Sequence, residues 1–251
     1  MFLPCYLAVT AGELAAGAPF PAFPAWMACH FSPSGAGISN LPAALPEGAM
    51  LILDDSQIFG GHDPRQVAKE LAAAADALGC GSLLLDFQRP DIPGQAETVR
   101  AVLAETPCPV GVAAPYAAGY GGPVLVPPIP PDVPPARWLA PWAGREIWQE
   151  LALDGLCYTV TEDGAAARPC FGEEEPAASL TDAALRCHYT LRLAPRQALF
   201  TLYRTEDDLL ALLEDAAGLG VTRGVGLWQE LGQLPLISGT GARRSDEPPD
   251  A

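Results

Sequence analysis

The chain alternates between short, continuous apolar runs and segments with helical periodicity. Met50-Leu51-Ile52-Leu53 runs into Asp54-Asp55, and Ser82-Leu83-Leu84-Leu85 runs into Asp86 and Phe87. Between them, Asp63-Pro64-Arg65-Gln66 reads as a helix start, with Asp63 as N-cap, Pro64 in the first turn and Gln66 reaching back to the cap. Val67, Leu71, Ala74, Ala75 and Leu78 then recur at helical spacing until Gly79. A second helix is expected from about Ala96 to Glu105, followed by apolar runs at 109–114 and 123–127. Near the C-terminus, Ala198–Tyr203 reads as a strand and Thr205 as the cap of a helix that buries Leu209, Leu212 and Leu213. Gly220 closes that helix, and residues 224–228 form a last strand. Apolar runs separated by helices predict a parallel sheet covered on both faces. With runs near 3–9 and 26–31 the count reaches eight strands, which predicts an α/β fold of the (β/α)8 TIM-like barrel type; an open doubly wound sheet is the alternative.

The middle of the chain breaks this rhythm. Pro127 to Pro141 holds seven prolines, which predicts an extended, irregular loop. Residues 146–171 then alternate like a hairpin around the turn Glu162-Asp163-Gly164, and Cys187–Leu193 reads as another strand. The expected organisation is one barrel over 1–237, with a β-rich insertion at about 137–195 before the seventh strand. Glu173-Glu174-Glu175 reads as a solvated acidic loop within the insertion, and the tail 238–251 is expected to be disordered.

Charge narrows the partners. The 251 residues carry 30 acidic against 14 basic side chains, a net charge of −16, and Lys69 is the only lysine. Such a field repels phosphate backbones and anionic bilayers, so neither nucleic acid nor a membrane is an expected partner. The seven cysteines show no C-x-x-C spacing and several sit in apolar runs, which suits the reducing cytoplasm. The apolar N-terminus lacks a basic flank and reads as a first strand rather than a signal peptide. No cofactor is expected. Cys157, Cys170, Cys187 and His188 match no standard zinc spacing, Gly119-Tyr120-Gly121-Gly122 is no phosphate loop, and Gly-x-Ser-x-Gly does not occur.

Ligand sites in barrels of this type lie at the C-terminal ends of the strands. The residues expected there are His30, Asp54, Asp55, Asp86, Gln88, Tyr116, Arg204, Trp228, Gln229 and Glu230. Aromatic rings stack on the apolar faces of sugars, while carboxylates and amides bind hydroxyls, so the set suits a carbohydrate.

Leu83-Leu84-Leu85-Asp86-Phe87-Gln88-Arg89-Pro90 resembles the fourth-strand motif D-x-x-D-x-D-x-E of the family 18 glycoside hydrolases, the chitinase-like barrels. Gly220–Trp228 is similar to that family's last strand, whose tryptophan floors the sugar site, and the insertion resembles a domain inserted in some members. Trp228-Gln229 is shared with the lysozyme-like family 25 barrels. The resemblance places Asp86 at the last aspartate of the motif and Gln88 at the catalytic glutamate, while Gly81 and Leu84 stand where the earlier aspartates would be. It implies a barrel that binds an N-acetylglucosamine-containing oligosaccharide without efficient hydrolysis, because an amide cannot protonate a leaving group. Gln88, Trp228, Tyr116, Asp54, His30, Gln229 and Arg204 would contact the sugar. One alternative is an active hydrolase in which Asp86 pairs with Asp54, Asp55 or Glu230. The other is a non-enzymatic interaction scaffold that uses the proline-rich segment and the insertion.

Overall fold

The computed structural model describes residues 3–17, 20–33, 37–57, 62–153, 155–170 and 179–239. Its fold is a closed barrel of eight parallel strands with helices, of the TIM-like (β/α)8 class. The chain divides into two compact units, residues 5–118 with 226–251, and residues 1–4 with 119–225.

The first unit contains β1 (Cys5–Val9), α1 (Ala11–Ala15), β2 (Pro24–Phe31), β3 (Ile38–Ser39), β4 (Met50–Asp54), α2 (Pro64–Ala77), β5 (Ser82–Asp86), α3 (Gln95–Glu105) and β6 (Val110–Ala113). β1, β2, β4, β5 and β6 are consecutive parallel neighbours, and β3 pairs antiparallel with the end of β2. Every residue of β4 is buried, as its unbroken apolar run requires. α2 starts where its sequence indicates. Asp63 accepts from the Arg65 amide at 2.9 Å and Pro64 occupies the first turn, but Gln66 donates to Glu70 at 2.6 Å instead of reaching back. The helix buries Val67, Ala68, Leu71, Ala74 and Ala75 and packs against α3. His62, just ahead of it, is buried against the Phe31 ring at 4.7 Å and bonded to Thr98 Oγ1 at 2.8 Å. Burial pushes its pKa down. Gly94, at φ +89°, opens α3, and a Cβ there would meet the His62 ring at 3.3 Å.

The second unit holds β7 (Val124–Val126), α4 (Pro135–Leu139), β8 (Ile147–Leu151), β9 (Gly155–Thr161), β10 (Gly164–Cys170), β11 (Leu180–Asp182), β12 (Cys187–Ala194), β13 (Gln197–Tyr203), α5 (Glu206–Ala217) and most of β14 (Val221–Leu227). β7 pairs in parallel with β8, and β14 lies on the other side of β8. β9 to β13 form a separate antiparallel sheet in the order β10-β9-β13-β12-β11. The seventh barrel strand is therefore Ile147–Leu151, and the strand expected at 198–203 belongs to the inserted sheet. The insertion follows the seventh strand rather than preceding it.

The proline-rich segment is also more regular than expected. Pro135 opens α4 and a 3-10 turn follows at Ala140–Trp142, because proline fits the first turn of a helix, where its missing N–H has no helical partner. Thr205 caps α5 in a reciprocal box with Asp208. The chain continues through α6 (Trp228–Leu231) and α7 (Pro235–Ser238), so Ser238 ends a helix; the rest of the expected disordered tail, 240–251, and the acidic loop 173–175 lie outside the described residues. No helix among the described residues is long and apolar enough to cross a membrane.

Candidate functional site

Strand register assembles the site. His30 of β2 is paired with Asp54 of β4, and Asp54 with Asp86 of β5. Aligned residues on parallel strands project to the same side, so these three side chains form one row across the C-terminal ends of three adjacent strands. An open cleft of about 500 Å³ lies over this row, lined by Thr10, Met27, Ser56 and Gln88 along with His30, Asp54, Asp55 and Asp86. Thr10 reaches it because β1 ends there and turns into α1, which it caps.

The three aspartates have different surroundings. Asp54 is 7% exposed, with Oδ1 accepting from the Ser56 amide at 2.8 Å and from the Ser56 hydroxyl, and Oδ2 lying 2.8 Å from His30 Nδ1. Asp55 is 5% exposed and turns to the loop that follows β5. Its Oδ2 accepts from the Arg89 amide at 2.9 Å and from Gln95 Nε2 at 3.1 Å, and its own carbonyl accepts from the Arg89 guanidinium. Tyr116 completes that network: its hydroxyl lies 2.8 Å from the Arg89 carbonyl and also reaches Gln95 Oε1. Asp55 and Tyr116 thus fasten the loop between β5 and α3. Asp86 is half-buried, and among the described residues its direct partner is the exposed Gln88 amide, which donates to its Oδ1. Burial raises the Asp86 pKa. The Gln88 hydrogen bond opposes that shift, and the negative charges of Asp54 and Asp55 add to it.

His30, Asp54, Asp55, Asp86 and Gln88 are therefore brought together, with Tyr116 bracing the loop beside them. Trp228, Gln229 and Glu230 form α6, which packs against β1; the Trp228 ring lies so close over Gly232 that a Cβ there would sit 2.7 Å from it. Arg204 belongs to the other unit, where it is 6% exposed and donates to the carbonyls of Arg186, Ile129, Pro130 and Leu185. Among the described residues, no cluster of three or more His, Cys, Asp or Glu side chains could hold a metal ion, the thiols of the insertion included. The sequence pattern does not single out Ser56, Arg89 or Gln95 as site residues. Ser56 directly follows the aspartate pair and has the local signature of a residue that hydrogen-bonds two positions back. Arg89 and Gln95 lie 34 and 40 residues from Asp55, and no local pattern links them to it.

Parallel barrels carry their ligand sites at the C-terminal ends of the strands, where this carboxylate-lined cleft lies. No family model matches the chain, and no curated protein matches it. Solved structures do share its fold. The family 18 chitinase from Cycas revoluta, solved in complex with (GlcNAc)3, aligns with a TM-score of 0.53 at 11% identity over 94% of this chain and 99% of that one. The spore cortex-lytic enzyme SleL of Bacillus cereus aligns with a TM-score of 0.55 at 11% identity over 90% of this chain and 70% of that one. SleL of Bacillus megaterium aligns with a TM-score of 0.54, again at 11% identity, over 95% and 73%. At these identities the likeness is one of fold.

Proposed function

We propose that the cleft binds an N-acetylglucosamine-containing oligosaccharide and does not hydrolyse it efficiently. The observation that carries this reading is the Gln88–Asp86 pair, an amide hydrogen-bonded to a carboxyl group at the open cleft. Gln88 stands where the motif resemblance places the catalytic acid. General acid catalysis contributes about 10²–10⁴-fold, and a glutamine amide has no proton to give at neutral pH. It can still donate and accept hydrogen bonds to hydroxyl and acetamido groups. Met27 and Ala28 supply an apolar stretch of wall against which a sugar ring can lie. The seven cysteines, none of them in a disulfide, support a cytoplasmic setting.

Thermal shift against chito-oligosaccharides, with malto-oligosaccharides as controls, tests the binding. A ligand at about 100 times its Kd adds about 2.7 kcal/mol, several degrees for a domain of this size. We expect that shift with chito-oligosaccharides, and its loss in Asp86→Ala; no shift with any saccharide refutes the reading. A second reading, an active hydrolase, draws on the raised pKa of Asp86 beside Asp54 on the neighbouring strand. It requires turnover by the unaltered chain that Asp86→Asn abolishes and Gln88→Ala leaves in place. The binding reading expects no turnover until Gln88→Glu is introduced.

A further inference from the structure

The cleft holds three carboxyl groups, and two of them have a basic partner. Asp54 lies 2.8 Å from the His30 imidazole, and Asp55 lies 3.7 Å from the Arg89 guanidinium. Asp86 has no ion pair among the described residues. The Gln88 amide that reaches it is neutral, and the charges acting on it are the like charges of Asp54 and Asp55. Among the described residues that line the cleft there is no lysine or arginine; the rest of the wall is neutral, as at Thr10, Met27 and Ser56. Asp54 and Asp55 are buried and held by hydrogen bonds, so they cannot turn away. Asp86 stands in register beside Asp54 on the adjacent strand, in the row over which the cleft opens. The wider field adds to this imbalance: the chain carries a net charge of −16.

We infer that the cleft selects an oligosaccharide carrying a free, protonated amino group, as in a glucosamine unit that has lost its acetyl group, and seats that group on Asp86. The inference rests on the saccharide reading given above and adds a charge to it. An ammonium supplies the cation that Asp86 lacks. It also suits Gln88, whose nitrogen already donates to Asp86 and whose amide oxygen is an acceptor. One ammonium can donate to both residues at once. An acetamido group offers a single N–H and no charge, and a charge-assisted hydrogen bond is about twice as strong as a neutral one. A sugar acid would bring a fourth carboxylate to the row, and like charges placed together reject the wrong ligand. The acidic surface steers a cationic glycan towards the cleft and an anionic one away.

Titration calorimetry on the full chain tests this, slightly below neutral pH, where a sugar amine is protonated. The probes are fully acetylated chitotriose and its partly de-N-acetylated counterpart. The amine form is expected to bind about tenfold tighter at low salt, with the advantage shrinking as salt screens the pair. Asp86→Asn keeps an oxygen for Gln88 and removes the charge. It should bring the two sugars within about twofold of each other while still binding the acetylated one. Asp163→Asn removes one charge from the exposed hairpin turn and should leave the preference unchanged. The thermal melt of each variant verifies that it is folded, and Asp86→Ser replaces Asp86→Asn if that variant does not fold. Equal binding of the two sugars by the unaltered chain overturns the inference and leaves the saccharide reading standing, whereas binding of neither overturns both. A preference that survives Asp86→Asn also overturns it, because the amine then answers to the overall charge alone. So does spermidine binding as tightly as the amine sugar, which would make the cleft a site for amines without the sugar.

Discussion

The cleft and the inserted sheet break the same rule in opposite directions. At the strand ends, the carboxylates Asp54 and Asp55 are buried, whereas on the sheet Leu191 and Leu193 are left in water. Burying a charge is costly unless hydrogen bonds replace the lost water, and each buried aspartate has them: Ser56 for Asp54, Arg89 and Gln95 for Asp55. Exposed hydrocarbon has no such local remedy. The polar inversion is therefore answered within the chain, whereas Leu191 and Leu193 stay in water.

The largest expected effect is on the polar side. Asp55→Ala leaves the Arg89 amide and the fully buried Gln95 side chain without their acceptor, and should destabilise by about 3 kcal/mol in urea unfolding. A loss below about 1 kcal/mol would mean that the loop holds without this anchor. In the second unit, Arg204→Met frees four carbonyls and should cost about 2 kcal/mol, with Arg204→Lys recovering only part of it, since an ammonium lacks the planar fork. Full recovery by lysine would show that charge rather than geometry matters there. The smallest effect concerns Asp86. Its pKa is raised in the fold, so the stability it contributes is full below the ordinary carboxyl pKa and is lost as pH rises through the folded value. Asp86→Asn keeps an oxygen for Gln88 and removes the charge. The melting temperature of the variant should exceed that of the unaltered chain at neutral pH, and the gap should close towards about pH 4. A gap independent of pH would contradict the assigned cause.

The same comparison explains what the sequence revealed. β4 and β5 were legible because both faces of each strand are buried and their apolar runs end in carboxylates, which also exposed Asp54 and Asp86 as site residues. β8 was not. Its Gln149 is fully buried, donating to the carbonyls of Pro127 and Glu150, so a barrel strand carries a polar residue in its interior. Residues 198–203 read as a barrel strand because Leu199, Phe200 and Leu202 are apolar, and a pattern of apolar residues implies burial that this strand does not have. The Asp55 network was invisible because its partners lie on a different loop. A carboxylate at a strand end looks the same in sequence whether it faces a ligand or ties down the backbone.

The position of the insertion also sets a timetable. β8 ends at Leu151 and its barrel neighbour β14 begins at Val221. A ribosome adding about 5–20 residues per second needs several seconds to deliver the intervening chain. The inserted sheet is built from hairpin-like neighbours and forms on a far shorter timescale, about microseconds per hairpin. On a nascent chain all five strands of the sheet are therefore synthesised before the last barrel strand exists.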